Sequence, residues 1–315
     1  MIARKMFGLA LCLAWAAPAL ADVNLQAPNG TSYTIRDTGG GELAGPGVFS
    51  SWPKLCVQAC ADCDQPCAGG DVYDAGGVAS AAEINTRQRA MAVRSIHGLD
   101  VQRRVYVPSA GQALADGFVR YLDTLTNNTG APITVTVRIG AVSANERVNN
   151  STTLWRTHSD DAELEVFDRW WVLDDGNVDG GSAAVAALVF GAGADSTPAA
   201  ITARYADQAG AMSWRYERVA IPAGTTAAFL TAVVVEPQRL AAIDEVDSLL
   251  RARDVELLDG MTPAQRNAVR NFDVSVPNAS PIADAGGPYT VDEGAQVQLT
   301  AGDSFDPEGQ PLQYA

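Results

Sequence analysis

The chain has 315 residues, 47% of them hydrophobic and 19% charged, with 22 Lys and Arg against 37 Asp and Glu for a net charge of -15. A nucleic-acid partner is excluded, because phosphate binding needs clustered cations that release counterions, and this surface repels a polyanion. Past the N-terminus no stretch reaches the roughly 18 uninterrupted apolar residues of a membrane span, so the acidity reads as solubility and as an affinity for divalent cations.

Arg4 and Lys5 precede an apolar run from Met6 to Trp15, and Ala19-Leu20-Ala21 has the small-x-small form of a secretory cleavage site. Residues 1–21 are therefore expected to be a signal peptide, and the chain to be secreted or held at the cell surface. From Asp22 to about Gly111 the pattern is loop-rich, with strand-like "SYTIR" (Ser32 to Arg36) and "VQRRVYVP" (Val101 to Pro108) between glycine clusters. In the same stretch "LCVQACADCDQPC" groups Cys56, Cys60, Cys63 and Cys67. In an exported protein this spacing predicts two local disulfides, in one of three pairings, with a four-thiolate zinc site as the competing reading.

"FVRYLDTLTNNTG" alternates through Val119, Tyr121 and Leu125, and "PITVTVRIG" through Ile133, Val135, Val137 and Ile139, so the two are expected as a hairpin across Asn127 to Gly130. Further strands are predicted at Thr153 to Thr157, Val166 to Leu173, Val185 to Phe190, Met212 to Val219 and Ala227 to Val235. The last of these, "AAFLTAVVV", reads as a strand buried on both faces. Trp155, Trp170, Trp171 and Trp214 fall on these strands. Core packing accounts for most such residues, but adjacent strand residues point to opposite faces, so Trp170 and Trp171 are the candidates for carbohydrate contact.

Between two of the strands "DDGNVDG" (Asp174 to Gly180) sets Asp175, Asn177 and Asp179 at the spacing of the first calcium ligands of an EF-hand loop. Ala186 stands where the closing Glu belongs, and flanking helices are not expected. A strand-to-strand calcium loop is the functional reading, with Asp160, Asp161 or Asp168 replacing the missing carboxylate. A turn rich in Asp, Asn and Gly is the structural one. Calcium is the one cofactor expected.

Helix enters late. Leu240, Ile243, Val246 and Leu250 recur at helical spacing within Pro237 to Arg253. In "TPAQRNAVRNF", Thr262 is set as N-cap, Pro263 at the first helical position and Gln265 to complete a capping box. Both helices are expected against the edge of one large β-sandwich spanning 22–275, followed by a linker at 276–280.

Beyond the linker, Ala283-Asp284-Ala285-Gly286, Val291-Asp292-Glu293-Gly294 and Asp303-Ser304-x-Asp306-Pro307-x-Gly309 precede Leu312 and Tyr314. This segment, 281–315, resembles the start of a polycystic-kidney-disease (PKD) domain. The resemblance implies the first strands of an immunoglobulin-like sandwich, and the acids Asp303 and Asp306 of this tail make a second, weaker calcium candidate. Such a sandwich needs roughly 100 residues, so the domain is expected to continue past Ala315. The preceding "RYLDTLTNNTGAPITVTV" and "DRWWVLDDG" are similar to an uncharacterised module of secreted bacterial proteins.

His97 and His158 lie in no H-E-x-x-H motif, no G-x-S-x-G elbow is present, and so many acids make a pair such as Glu163 with Asp168 uninformative. The expectation is a mostly β, non-catalytic module for adhesion, spacing or binding to extracellular polysaccharide or surface protein. The alternative is the non-catalytic N-terminal part of an extracellular hydrolase of polysaccharide or protein.

Overall fold

The structure is a computed structural model that describes residues 22–45, 49–61, 63, 65–109, 117–142, 147–148, 153–174, 185–191, 200–202, 212–250 and 257–274, with scattered positions of 283–312. Strands β1 (Val23–Gln26), β2 (Ser32–Ile35), β3 (Leu43–Gly45), β4 (Phe49–Ser50) and β5 (Lys54–Gln58) open it. They are followed by β6 (Ala81–Glu83), β7 (Gln88–Ala90), β8 (Arg94–Ile96), β9 (Leu99–Tyr106), β10 (Phe118–Asn127), β11 (Ile133–Gly140) and β12 (Arg147–Val148). Then come β13 (Thr153–Thr157), β14 (Trp170–Asp174), β15 (Val185–Val189), β16 (Ala200–Thr202), β17 (Ser213–Ile221) and β18 (Thr226–Glu236), and last the helices α1 (Arg239–Leu250) and α2 (Pro263–Ala268).

A nine-stranded antiparallel sheet runs β13-β14-β15-β18-β10-β9-β7-β6, with β8 joined to β9. Its inner face packs on a four-stranded sheet, β16-β17-β11-β5, and on the small sheet β1-β2-β3. The run at β18 shows why the chain folds this way. Ala227, Phe229, Val233 and Val235 enter the core between the sheets, while Ala228, Leu230, Ala232 and Val234 enter a second core on the outer face. Each fully buried Leu, Val or Phe in such a core contributes roughly 1.5–3 kcal/mol, and a strand apolar on both sides gains this only at the centre of a covered sheet.

That second core is closed by the C-terminal segment. Ala242, Val246 and Leu249 of α1 are buried against it, with Ile243 and Leu250 at the flanks. Leu240 is instead 63% exposed, so the buried stripe sits further round the helix than the expected one. α2 has the expected capping box, with Thr262 and Gln265 bonded reciprocally. Both helices lie over the sheet's outer face, not at its edge as expected, because the apolar alternate positions of β18 need covering there.

The expected hairpin of β10 and β11 is corrected. β10 pairs with β9 and β18, whereas β11 pairs with β17 and β5 in the opposite sheet. The connection is a corner between layers, tied by Asn127, whose Nδ2 donates to the carbonyls of Ala131 (2.8 Å) and Ile221 (2.9 Å). The strand expected from Val166 begins only at Trp170, because Asp168 closes a turn by accepting from the Glu165 amide (2.8 Å).

In the Cys-rich loop Cys56 is bonded to Cys67 and Cys60 to Cys63, which selects one of the three pairings and sets the zinc reading aside. Residues 1–21 and the linker 276–280 lie outside the described residues. The described tail residues belong to no strand, although the Thr300 amide donates to the Ala285 carbonyl (3.2 Å). Among the described residues no helix is long and apolar enough to cross a membrane.

Candidate functional site

Of the expected site residues, Asp175, Asn177, Asp179, Asp303 and Asp306 lie outside the described residues. Among the described residues no three His, Cys, Asp or Glu side chains converge as metal ligands. Asp161 and Asp168, expected as substitute calcium ligands, hold their own loop. Asp161 accepts from the Thr157 hydroxyl (2.9 Å) and the Glu163 amide (3.0 Å), and Asp168 from the Ser159 amide (3.1 Å) and hydroxyl (3.0 Å). The bond from the Glu163 amide, then that from Thr157, lowers the Asp161 carboxyl below its ordinary value.

The candidates Trp170 and Trp171 are corrected as well. Trp171 is sealed in the inner core, its ring 4.6 Å from Phe190 and 5.7 Å from Trp214 between centroids. Trp170 faces outward but is only 6% exposed, under the cover that α1 provides. Neither offers a ring face to a sugar.

Among the described residues, two constellations that the sequence did not single out bear on a site. The first is internal. On the inner face, Arg103 of β9 and Asp123 of β10 stand opposite each other and are fully buried. Arg103 Nε and Nη2 donate to the two Asp123 oxygens (2.7 and 2.9 Å), and Nη1 to the carbonyls of Pro53 (2.7 Å) and Gly40 (3.1 Å). Burial lowers the Arg103 pKa, but the Asp123 charge and hydrogen bonds outweigh it and leave the group raised. Beside it Glu42 accepts from Lys54 and from the Gly40 amide (3.1 Å). With every guanidinium nitrogen and both Asp123 oxygens engaged, this network holds the β3 to β5 region against the sheet and leaves no group for a substrate.

The second constellation is at the outer edge. The register between β13 and β14 shifts between Leu154 and Arg156. Leu154 packs into the inner core, and Trp155 packs against the outer one. Arg156 opposes Val172, a member of the outer core, so Trp155 and Arg156 both lie on the outer side, two residues against one. This is a β-bulge, a device that re-aims side chains at sheet edges and beside functional sites.

The Trp155 indole is half-buried, with the Arg239 guanidinium carbon 5.1 Å and that of Arg156 5.9 Å from its ring centroid. Arg239, the first residue of α1, is paired with the buried carboxylate of Asp174 at the end of β14. Arg156 is paired with Asp160; these two side chains are 37% and 71% exposed. Nearby, exposed His158 meets Trp170 edge-on at 6.3 Å. An aromatic ring beside two guanidinium groups, with one exposed carboxylate, Asp160, paired to Arg156, can stack on an apolar ring face.

No family model matches the chain, and no curated protein matches it. Solved structures do resemble it. A protein assigned as an aldose 1-epimerase, from Klebsiella pneumoniae subsp. pneumoniae, aligns over 78% of this chain and 85% of its own, at 11% identity and a TM-score of 0.38. A human-microbiome protein assigned as a kojibiose phosphorylase aligns over 76% of this chain and 29% of its own, at 6% identity and a TM-score of 0.40. A polysaccharide lyase aligns over 71% of this chain and 32% of its own, at 10% identity and a TM-score of 0.35. At such scores the likeness assigns no activity to this chain. All three bear the names of carbohydrate enzymes, however, and against that finding the expectation of a non-catalytic adhesion or spacer module, and of a chain that is no enzyme, does not stand.

Proposed function

We propose that this chain is the β-sandwich of an exported, carbohydrate-directed protein and that it meets saccharide at the Trp155 edge. The observation that carries this reading is the bulge in β13, which places the half-buried Trp155 beside Arg156 and under Arg239 on the outer side of the large sheet. Arg156 and Asp160 form an exposed ion pair, which is worth little, so a ligand displaces that pair from the ring at small cost. Arg239, held by buried Asp174, stays in place over the ring. The leader pattern of residues 1–21 and the PKD-like tail support export.

Affinity electrophoresis of the full chain through gels containing soluble polysaccharides tests the proposal. The wild type is expected to be retarded by at least one polymer, and Trp155→Ala to run as in a blank gel with its fold intact by circular dichroism. Equal retardation of both proteins would place binding elsewhere.

A further inference from the structure

We infer that Cys60 and Cys63 form an exchangeable dithiol–disulfide site that takes two electrons from a dithiol, while the other bridge of the same loop, Cys56 to Cys67, stays closed. Thiol–disulfide exchange needs access to one sulfur and a thiolate that can leave from the other. Cys60 and Cys63 are both half-buried, so solvent reaches either end of their bridge. Cys56 is fully buried in β5, and its bridge is open only at Cys67. Attack there has to expel the Cys56 thiolate into a site without solvent, where its charge is poorly stabilised and it leaves slowly. The same barrier keeps a freed Cys60 or Cys63 thiolate from reshuffling the pairing.

The turn that the Cys60 bridge closes does not depend on it. The Cys60 amide donates to the Gln58 carbonyl (2.8 Å), and the Arg218 amide of β17 to the Ala61 carbonyl (2.6 Å). The Thr136 hydroxyl of β11 lies within donating distance of the carbonyls of Cys60 (3.1 Å) and Ala61 (3.0 Å) and accepts from the Cys63 amide (3.2 Å). Stabilisation by a disulfide rises with the length of the loop it closes, and this pair is separated by 3 residues against 11 for Cys56 and Cys67. A bridge whose loss the turn survives can open and close in the folded protein. In the forward reaction one thiolate of the dithiol attacks a sulfur of the pair; the S–S bond breaks, a mixed disulfide forms, and the other cysteine leaves as a thiolate and takes up a proton. The second thiol of the dithiol, losing its proton, displaces the remaining cysteine. The reagent departs as an intramolecular disulfide, and the chain has gained two electrons and two protons.

Equilibration of the folded full chain in buffers of graded reduced-to-oxidised dithiothreitol, followed by alkylation with N-ethylmaleimide and peptide mapping, tests this. Cys60 and Cys63 are expected to be labelled together at a ratio at least about tenfold lower than Cys56 and Cys67, as an exposed bridge is the more readily reduced. Over that interval the far-UV circular dichroism should be unchanged and the melting temperature should fall by less than about 8 °C, the effect of opening a short loop. Return to oxidised dithiothreitol should restore the Cys60 bridge and no other pairing. In Cys63→Ser a mixed disulfide at Cys60 has no resolving thiol, so oxidised glutathione is expected to leave a stable adduct on Cys60 of the folded variant. Labelling of all four cysteines at one ratio, labelling that appears only as the dichroism is lost, or a map joining Cys60 or Cys63 to Cys56 or Cys67 would overturn the inference. A folded Cys63→Ser protein that holds no adduct would overturn it as well.

Discussion

Removing the Asp123 carboxylate tests whether the internal ion pair holds the sandwich together. In Asp123→Leu the Arg103 guanidinium keeps only the carbonyls of Gly40 and Pro53, inside a core where both partners are fully buried. Leaving one buried charge uncompensated costs about 3–5 kcal/mol, against a total stability of roughly 5–15 kcal/mol. For a domain of this size about 2–4 °C of melting temperature is lost per kcal/mol, so a drop of roughly 6–20 °C is expected. Urea unfolding should show the midpoint falling with little change in slope, because the surface exposed on unfolding is nearly the same. The double variant Arg103→Met, Asp123→Leu removes both charges but orphans two carbonyls at about 1–3 kcal/mol each, so it is expected to lose about as much as the single variant. A single variant that loses less than about 1 kcal/mol would refute the argument that the Arg103 charge depends on Asp123 for compensation.

The C-terminal segment should prove equally committed to the fold. Asn271 bonds both the amide (2.8 Å) and carbonyl (2.6 Å) of Leu230, and also the Phe190 carbonyl (2.9 Å) and Tyr216 hydroxyl (3.0 Å), filling the side of β18 where β15 has ended. Asn271→Ala should cost at least about 3 kcal/mol, at roughly 1–3 kcal/mol per orphaned buried group, and should abolish hydrogen-exchange protection at Leu230; retained protection would count against the contact. In alkaline solution, burial pushes Tyr73 from its ordinary 10.0 up to about 12, and raises Tyr33, Tyr121 and Tyr216 as well. The unfolded chain ionises first, so stability is full below pH 10 and declines between pH 10 and about 12. Phenolate absorbance should therefore rise together with unfolding, and ionisation of these tyrosines near pH 10 in an intact fold would contradict the burial.

What was legible in the sequence was what depends on local pattern. The alternation of Val135, Val137 and Ile139 identified both the strand and its inward face, and the Thr262 to Gln265 spacing identified the cap of α2. Pairing was not legible. Asn127 to Gly130 announces a reversal of the chain, but a reversal inside one sheet and a step between two sheets use the same turn chemistry, and only the long-range partners of β10 decide between them. Buried charge was also hidden. Arg103 and Arg120 sit in strands where a charged residue reads as solvent-facing, yet Arg103 is held by Asp123, and Arg120 by the carbonyls of Leu257 (2.7 Å) and Asp259 (2.8 Å) from the C-terminal segment. Burial, the larger cause, lowers the Arg120 pKa to about 10, and the group remains a cation at neutral pH.

The tryptophans show where pattern reasoning stops. Adjacent strand residues do point to opposite faces, so Trp170 and Trp171 were bound to separate, and they do. The inference that one of them meets solvent needed a further premise, that only one face of the sheet is covered. α1 and the chain after it cover the other, so leaving one core means entering a second. On the strands of the large sheet, a ligand-facing aromatic has to come from a margin, where the cover ends. β13 is that margin, and even there strict alternation would have sent Arg156 to the inner side. The extra residue of the bulge brings it round beside Trp155, so a local break in the period creates a place where, among the described residues, indole, guanidinium and carboxylate meet at the surface.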